Sequence, residues 1–202
     1  MLLSPQELLQ YTKALGYFGI ALVIFVETGL FFGFVLPGDS LLFIVGMLAA
    51  SGVFHIGLLL IVICGLAFVG YLFGYWFGDR LGSWLMNRKE SIFFRKQYIE
   101  SAKVFYQRHG AKAIIIARVV PIVRTFAPIV AGMVKMPYKT FFWCNLLGAV
   151  LWGLSFVLAG FFLGNRFPLL IHYLLPMVVV IIILSIAPGV ISLIKNNNNR
   201  AR

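Results

Sequence analysis

Residues 117–132 read ARVVPIVRTFAPIVAG, which places two arginines and two prolines in an otherwise apolar stretch. A charged side chain at the centre of a lipid bilayer costs roughly 2.5–3.5 kcal/mol on insertion scales, so Arg118 and Arg124 require partners inside the protein. Pro121 lies midway between them, where it can break a helix. The stretch therefore indicates a buried polar site and not a simple membrane span.

The composition around this stretch is that of a membrane protein. Of the 202 residues, 61% are hydrophobic, 16% aromatic and only 11% charged, whereas soluble domains contain about 45–50% apolar residues. The formal net charge of +11 does not indicate a nucleic-acid partner, because eight of the seventeen Lys and Arg residues lie between Arg80 and Lys112 and no basic groove with stacking aromatics is present. Positive charge clustered in loops follows instead from the positive-inside rule.

The first long apolar run, residues 15–50, is broken by Leu36-Pro37-Gly38-Asp39-Ser40. A membrane helix needs roughly 20 residues, so this run is too long for one span and short for two. The part after the break is about 11 residues, which at about 1.5 Å per residue covers only half of the hydrocarbon core. A re-entrant hairpin with Pro37 and Gly38 at its tip fits best. Before it, a surface-lying amphipathic helix is expected over residues 1–14.

Residues 113–134 have the length of one span, but the distribution of charge favours a turn within them. If they crossed the membrane, two later spans would leave the C-terminal positive charges on the side opposite to the basic loop. If the chain turns back near Pro121, the loop and the tail share the cytoplasmic side, as the positive-inside rule favours. We therefore predict a second re-entrant hairpin with its tip at Pro121, entering from the face opposite to the first.

Two opposed hairpins, each followed by a glycine-containing crossing helix, would form an inverted repeat of the kind that many transporters use. The sequence therefore predicts an all-α polytopic membrane protein with two opposed re-entrant helical hairpins, about three full transmembrane helices and surface-lying amphipathic helices. Close helix packing is predicted where glycine recurs at every fourth position: Gly70, Gly74 and Gly78. The predicted segments are an interfacial helix at 1–14, hairpin 1 at 15–50, a transmembrane helix at 53–79, a basic cytoplasmic loop with a surface-lying helix at 80–112, hairpin 2 at 113–134, transmembrane helices at 140–164 and 169–194, and a basic tail at 195–202.

Arg118 and Arg124 are the candidate substrate-binding residues. An unbroken helix would point two side chains six positions apart in different directions, whereas a break at Pro121 would turn both towards one cavity. Guanidinium groups suit a phosphate because their fork of donors binds two oxygens at once. The alternative is that both arginines only pair with acids and hold the hairpins together, which apolar residues would usually achieve with a smaller penalty.

Glu27 and Asp39 are candidates for proton coupling or for charge partners of the arginines. Both lie in apolar surroundings, and an acid inside a membrane is a functional candidate by default. Desolvation favours the neutral carboxyl and a nearby arginine favours the charged form, so one of the two acids is expected to exchange a proton during transport. Asp39 can also cap the helix that begins at Ser40 or Leu41, and the two roles are compatible.

No residue pattern indicates an enzyme. The two cysteines lack the spacing of a metal or redox site, and we interpret them as small buried hydrophobic residues: Cys64 and Cys144. The three histidines are scattered, with neither metal-ligand spacing nor a nucleophilic partner: His55, His109 and His172. No glycine-rich phosphate loop or nucleotide motif is found. We therefore predict no catalytic residue, no metal site and no cofactor.

Several short motifs follow one another between residues 16 and 164: Phe25-Val26-Glu27, Leu36-Pro37-Gly38-Asp39-Ser40, Gly74-Tyr75, Arg118-x-x-Pro121-x-x-Arg124, Ala131-Gly132-Met133, Met136-Pro137-Tyr138 and the stretch from Asn145 to Trp152. Their order and spacing give the chain a resemblance to the DedA family of membrane proteins, also called SNARE-associated or VTT-domain proteins. It implies two hairpins that meet within the bilayer, and movement of lipids across the membrane, with bacterial relatives recycling undecaprenyl phosphate and others scrambling phospholipids. It also implies that Glu27, Asp39, Arg118 and Arg124 are important for activity. One departure is Gly70-Tyr71, where many members have Gly-Asp.

The leading hypothesis from the sequence is a proton-coupled transporter of an anionic lipid, undecaprenyl phosphate, in the bacterial inner membrane. Arg118 and Arg124 would hold the phosphate, and Glu27 and Asp39 would compete for the arginines when the site is empty. The expected partners are the polyprenyl phosphate, membrane lipids and protons, with no nucleic acid; an oligomer is compatible with the sequence. The alternatives are a proton-dependent ion or drug antiporter, a general phospholipid scramblase, a lipid phosphatase and a structural scaffold. The scattered histidines give little support to a phosphatase. Four buried charges are a poor design for a scaffold.

Overall fold

The computed structural model describes residues 5–30, 38–86, 104, 106, 110, 112–118 and 120–169. The helices in this part of the chain are α1 (Pro5–Gly29), α2 (Gly38–Ala50), α3 (Ile56–Met86), α4 (Lys112–Ala117), α5 (Pro121–Met133) and α6 (Tyr138–Arg166). Val104 and Tyr106, within the predicted surface-lying helix of the basic loop, also have helical backbone. The described residues contain no β-strand, which agrees with the prediction of an all-α protein.

Within the part of the chain that the structure describes, three helices are long and apolar enough to cross a membrane: Gln10–Gly29 in α1, Ile56–Gly82 in α3 and Tyr138–Arg166, which is α6. At about 1.5 Å per residue, the span in α3 reaches about 40 Å, more than the hydrocarbon core of about 30 Å. Large apolar side chains such as Phe18, Ile61 and Trp143 are exposed on these helices. Because lipid is the solvent that such surfaces require, the chain is a polytopic helical membrane protein.

The chain divides into two compact units. Unit 1 consists of Met1–Phe34 and Gly57–Ser155, and unit 2 consists of Val35–Ile56 and Phe156–Arg202. Unit 1 therefore holds α1, α4, α5, nearly all of α3 and the first part of α6. Unit 2 holds α2 and the end of α6.

In unit 1, glycines at successive turns of α3 let neighbouring helices approach its backbone: Gly70, Gly74, Gly78 and Gly82. A methyl group on Gly78 would overlap the carbonyl oxygen of Ile129 in α5, and one on Gly70 would overlap the Thr28 hydroxyl in α1. Gly132 of α5 makes the reciprocal approach to the backbone of α3. The prediction of close helix packing at Gly70, Gly74 and Gly78 is thus confirmed.

The C-terminus of α5 is closed by a Schellman motif. The Met136 N–H donates to Ala131 O at 3.0 Å and the Lys135 N–H donates to Gly132 O at 2.9 Å. Lys135 takes the left-handed conformation that this motif requires, with φ of 54°. The Tyr75 hydroxyl of α3 donates to Met136 O at 2.6 Å. The sharp end of α5 is thereby tied to α3.

In unit 2, α2 packs against the end of α6 through a second set of close backbone approaches. A methyl group on Gly46 would overlap the carbonyl oxygen of Val157, and one on Gly160 would overlap that of Phe43. Leu42 and Met47 of α2 are fully buried. The helix that follows the Pro37-Gly38 break is therefore a packed element of its own unit.

The structure differs from the predicted segments at two boundaries. The sequence predicts an interfacial helix at 1–14 and a hairpin limb from residue 15, but one helix, α1, runs through this point without interruption. No proline stands there to end it, so the backbone ladder continues. Likewise, α3 continues to Met86, beyond the predicted end at residue 79.

Other predicted segments lie outside the described residues. These are residues 1–4, residues 31–37 of hairpin 1 with Pro37 of its predicted tip, most of the basic loop, and all but the first residue of the span at 169–194 with the tail at 195–202.

Candidate functional site

The first component of the site is a buried ion pair between two helices of unit 1. Glu27 of α1 is fully buried and Arg124 of α5 is 5% exposed. The Arg124 Nη2 donates to Glu27 Oε1, across 97 positions of sequence. The Arg124 guanidinium carbon also lies 5.2 Å from the ring centroid of Trp152 in α6. One arginine thus joins three helices.

The break between α4 and α5 places Arg124 at the beginning of a helix. After α4 the chain forms short turns, in which the Arg118 N–H donates to Ile115 O and the Val120 N–H donates to Ala117 O. Val120 is extended and Pro121 occupies the first helical position, where its missing N–H costs nothing. The partial positive charge at the start of α5 adds to that of the nearby guanidinium groups.

The second component is Arg118, which is 4% exposed at the end of α4. Its guanidinium carbon lies 3.8 Å from the ring centroid of Tyr71 in α3, in a cation–π contact. Its Nη2 donates to Asn145 Oδ1 at 2.5 Å and to Ala67 O at 3.3 Å. The stem of Arg118 lies against Gly148, where a methyl group would meet Arg118 Cδ at 2.9 Å. Arg118 is held by neutral groups, whereas Arg124 has an acid.

Asn145 connects Arg118 to the backbone of α3. While its oxygen accepts from Arg118, its Nδ2 donates to Phe68 O at 3.0 Å. Asn145 is fully buried within α6. An amide that both accepts and donates can fix the position of an arginine without cancelling its charge.

Tyr71 lies between the two components. It is fully buried, and its hydroxyl is within electrostatic range of Arg118, Arg124 and Glu27. The charges of the two arginines also reach one another. The tertiary fold therefore buries two cations, one acid and one phenol within electrostatic range of one another in unit 1.

The predicted site residues fall in different places. Glu27, Arg118 and Arg124 come together in unit 1, with Pro121 as the first residue of α5. Asp39 is partly exposed in the first turn of α2 in unit 2, directly after the buried Gly38. Pro37 lies outside the described residues.

Sequence reasoning assigned no role in the site to the neutral residues around the two arginines: Tyr71, Asn145 and Gly148 at Arg118, and Trp152 at Arg124. A buried amide in an apolar span was a signal for Asn145, because such a group requires partners. Tyr71 and Trp152 carry no comparable signal by residue type alone, since aromatic residues are frequent throughout the chain.

The described residues also include two cysteines and one histidine. They contain no group of three or more His, Cys, Asp or Glu side chains that could hold a metal ion. Cys64 and Cys144 are free thiols and only partly buried, a lower burial than the sequence predicted. His55 is exposed, and His109 and His172 lie outside the described residues.

Asn145→Leu is expected to lower the free energy of unfolding by about 2 kcal/mol, because a hydrogen bond to a charged donor and one to the backbone are both lost. The measurement is the unfolding midpoint of the purified protein in detergent. Asn165→Leu, at an exposed position of the same helix, is the matched control and should cost little. Equal losses in the two variants would contradict the anchoring role of Asn145.

Comparison with known proteins finds a matching domain family and several related membrane proteins. Residues 36–162 match the VTT domain family. The chain is 43% identical to Protein DedA of Escherichia coli (strain K12) over 183 residues, which is 90% of this chain and 83% of that protein. It is 37% identical to an uncharacterized membrane protein of Mycobacterium leprae, over 88% of this chain and 82% of the relative. Inner membrane protein YqjA of Escherichia coli is 32% identical, over 78% and 71% respectively. No solved structure matches the chain.

Proposed function

This chain belongs to the DedA family of VTT-domain membrane proteins, and from that premise we propose that it is a transporter of an anionic lipid, undecaprenyl phosphate. The observation that carries the proposal is the pair of buried arginines in unit 1, Arg118 and Arg124, whose charges act on one another. Two cations that a simple scaffold would not require suit a ligand with more than one negative oxygen.

Glu27 acts in this proposal as the counter-ion that the phosphate displaces. In the ligand-free protein, Glu27 is the negative partner of the buried Arg124. When a phosphate binds Arg124, the displaced carboxylate would be buried without its cation, and it takes up a proton instead. Movement of the lipid is thereby coupled to a proton. Asp39, at the start of α2, is the second proposed proton-coupling residue.

Residues 15–50 and 113–134 are the proposed re-entrant hairpins. Their second limbs are α2 and α5, which have 13 residues each, so each covers about 20 Å of a core about 30 Å thick. We propose that they enter from opposite faces and form an inverted repeat, with the basic loop and the C-terminus on the cytoplasmic side of the bacterial inner membrane.

A second candidate is a proton-dependent ion or drug antiporter. The observation that favours it is Glu27, a fully buried acid within a span. In that case the arginines would only adjust the proton affinity of the acid, and a soluble ion would move without any lipid substrate. Neither candidate requires a covalent step, and we propose no enzymatic activity.

Removing both arginine charges should abolish lipid movement, because each charge-assisted contact that is lost lowers phosphate binding about tenfold or more. The assay uses the full chain in phosphatidylcholine liposomes and follows the leaflet distribution of undecaprenyl phosphate for wild type and for Arg118→Gln with Arg124→Gln. Arg80→Gln removes an exposed arginine stacked on Trp76 and serves as the charge-matched control, with movement expected to persist.

Lipid movement that persists in the double variant would contradict the role of the arginines. If wild type moves no lipid under pH gradients imposed in either direction, but moves a soluble cation against protons, the antiporter is the better assignment. A pH-gradient dependence that disappears in Glu27→Gln would support proton coupling through Glu27.

A further inference from the structure

Two donors, in side chains that contact each other at the site, have no hydrogen-bond partner among the described protein groups. They are the Tyr71 hydroxyl and the Arg118 Nε, in side chains that are 0% and 4% exposed. Buried donors are almost always paired in folded proteins, so each such exception requires an explanation. Here both belong to one contact, since the Tyr71 ring lies against the Arg118 guanidinium group.

Two other tyrosines of unit 1 have hydrogen-bond partners for their hydroxyl groups. The Tyr75 hydroxyl, one turn further along α3, donates to Met136 O at 2.6 Å. The Tyr106 hydroxyl donates to Ala127 O at 3.0 Å. Both of these phenols pair with the backbone, whereas Tyr71 places its hydroxyl within electrostatic range of Arg118, Arg124 and Glu27. The unpaired phenol therefore coincides with the charged site.

The surroundings of Arg118 preserve donors for a ligand. Its Nη2 is occupied by Asn145 and Ala67, while its Nε carries a hydrogen that nothing in the described protein accepts. The face of the guanidinium group is covered by the Tyr71 ring. An acceptor that approaches Arg118 Nε would therefore arrive beside the residue whose own hydroxyl lacks an acceptor.

We propose that Tyr71 is a ligand of the phosphate headgroup and makes the site selective for a phosphate monoester; this rests on the proposed function. A phosphate monoester presents three terminal oxygens and up to two negative charges, whereas a phosphodiester presents two such oxygens and one charge. Arg118, Arg124 and the Tyr71 hydroxyl together provide donors for three oxygens. A diester would leave one of these buried donors without an acceptor, and a site built around polar groups discriminates strongly against a ligand that leaves them unpaired.

The same contact distinguishes Tyr71 from a simple packing residue. Tyr71→Phe keeps the ring against Arg118 and removes only the hydroxyl. Because a buried hydroxyl without a partner does not stabilise the fold, the ligand-free Tyr71→Phe protein should unfold no earlier than wild type. A loss of function without a loss of stability is the signature of a ligand contact.

The test compares two lipids in the same vesicles. The full chain is placed in phosphatidylcholine liposomes with tail-labelled undecaprenyl phosphate, a monoester, or tail-labelled phosphatidylglycerol, a diester. Membrane-impermeant dithionite reports the leaflet of either label. Wild type should move the monoester faster, and Tyr71→Phe should lower that rate about tenfold while leaving the diester rate unchanged. The matched control, Tyr75→Phe, loses a hydroxyl on the same helix and should keep the wild-type ratio of the two rates.

A Tyr71→Phe protein with the wild-type ratio of rates would overturn the proposal while leaving lipid transport intact. If wild type moves neither lipid, the proposed function is wrong, and the role of Tyr71 is tested with inorganic phosphate as the ligand. In detergent, phosphate should then raise the unfolding midpoint of wild type and raise that of Tyr71→Phe less, which would identify free phosphate as the ligand. An equal effect on both proteins, or no effect on either, would overturn Tyr71 as a phosphate ligand.

Discussion

Arg124→Gln is expected to lower the free energy of unfolding by about 3–5 kcal/mol, the cost of removing one partner from a buried ion pair. The reason is that the Glu27 carboxylate is fully buried and loses the cation that compensates its desolvation. The measurement is the unfolding midpoint of the purified protein in detergent. Arg80→Gln, at an exposed position of α3, should change the midpoint little.

Adding Glu27→Gln to Arg124→Gln should recover most of the lost stability, since the uncompensated charge is then gone. The recovered protein should still fail to move lipid, because a glutamine at position 124 cannot bind a phosphate with a charged fork. If the double variant is as unstable as Arg124→Gln, the ion pair does not account for the loss. If it is stable and moves lipid at the wild-type rate, the pair serves only to hold α1 against α5.

Gly78→Ala is expected to cost about 3 kcal/mol, at the upper end of the range for overpacking. The added methyl group would overlap the carbonyl oxygen, carbonyl carbon and Cα of Ile129. Backbone cannot rotate away as a side chain can, so α5 must move off α3. Because Arg124 lies on α5, lipid movement should fall together with the unfolding midpoint.

Gly65→Ala provides the control within the same helix. A methyl group there would meet no atom within 4 Å, and alanine is favoured over glycine in a helix interior by roughly 0.5–1 kcal/mol. This variant should therefore be as stable as wild type or slightly more stable. Equal destabilisation by the two substitutions would show that the glycines act through helix propensity and not through close packing.

Much of the architecture was predictable because it depends on local sequence. The apolar spans at 53–79 and 140–164 correspond to α3 and α6, since hydrophobic length alone decides whether a helix can cross lipid. Pro121 marked the break before α5, because proline favours the first helical position. The continuity of α1 across residues 14 and 15 was not predicted. No proline stands between the polar first turns and the apolar remainder, so the two patterns join in one helix.

The sequence by itself determined that Arg118 and Arg124 must be enclosed, because lipid cannot solvate a guanidinium group. It also named Glu27 as a candidate partner, by the same argument applied to a carboxylate. Only the tertiary structure decided that Glu27 pairs with Arg124, while Arg118 rests on Tyr71 and Asn145. These contacts join residues of different helices, up to 97 positions apart. No local pattern specifies them, because they depend on how closely the glycine-lined helix faces pack.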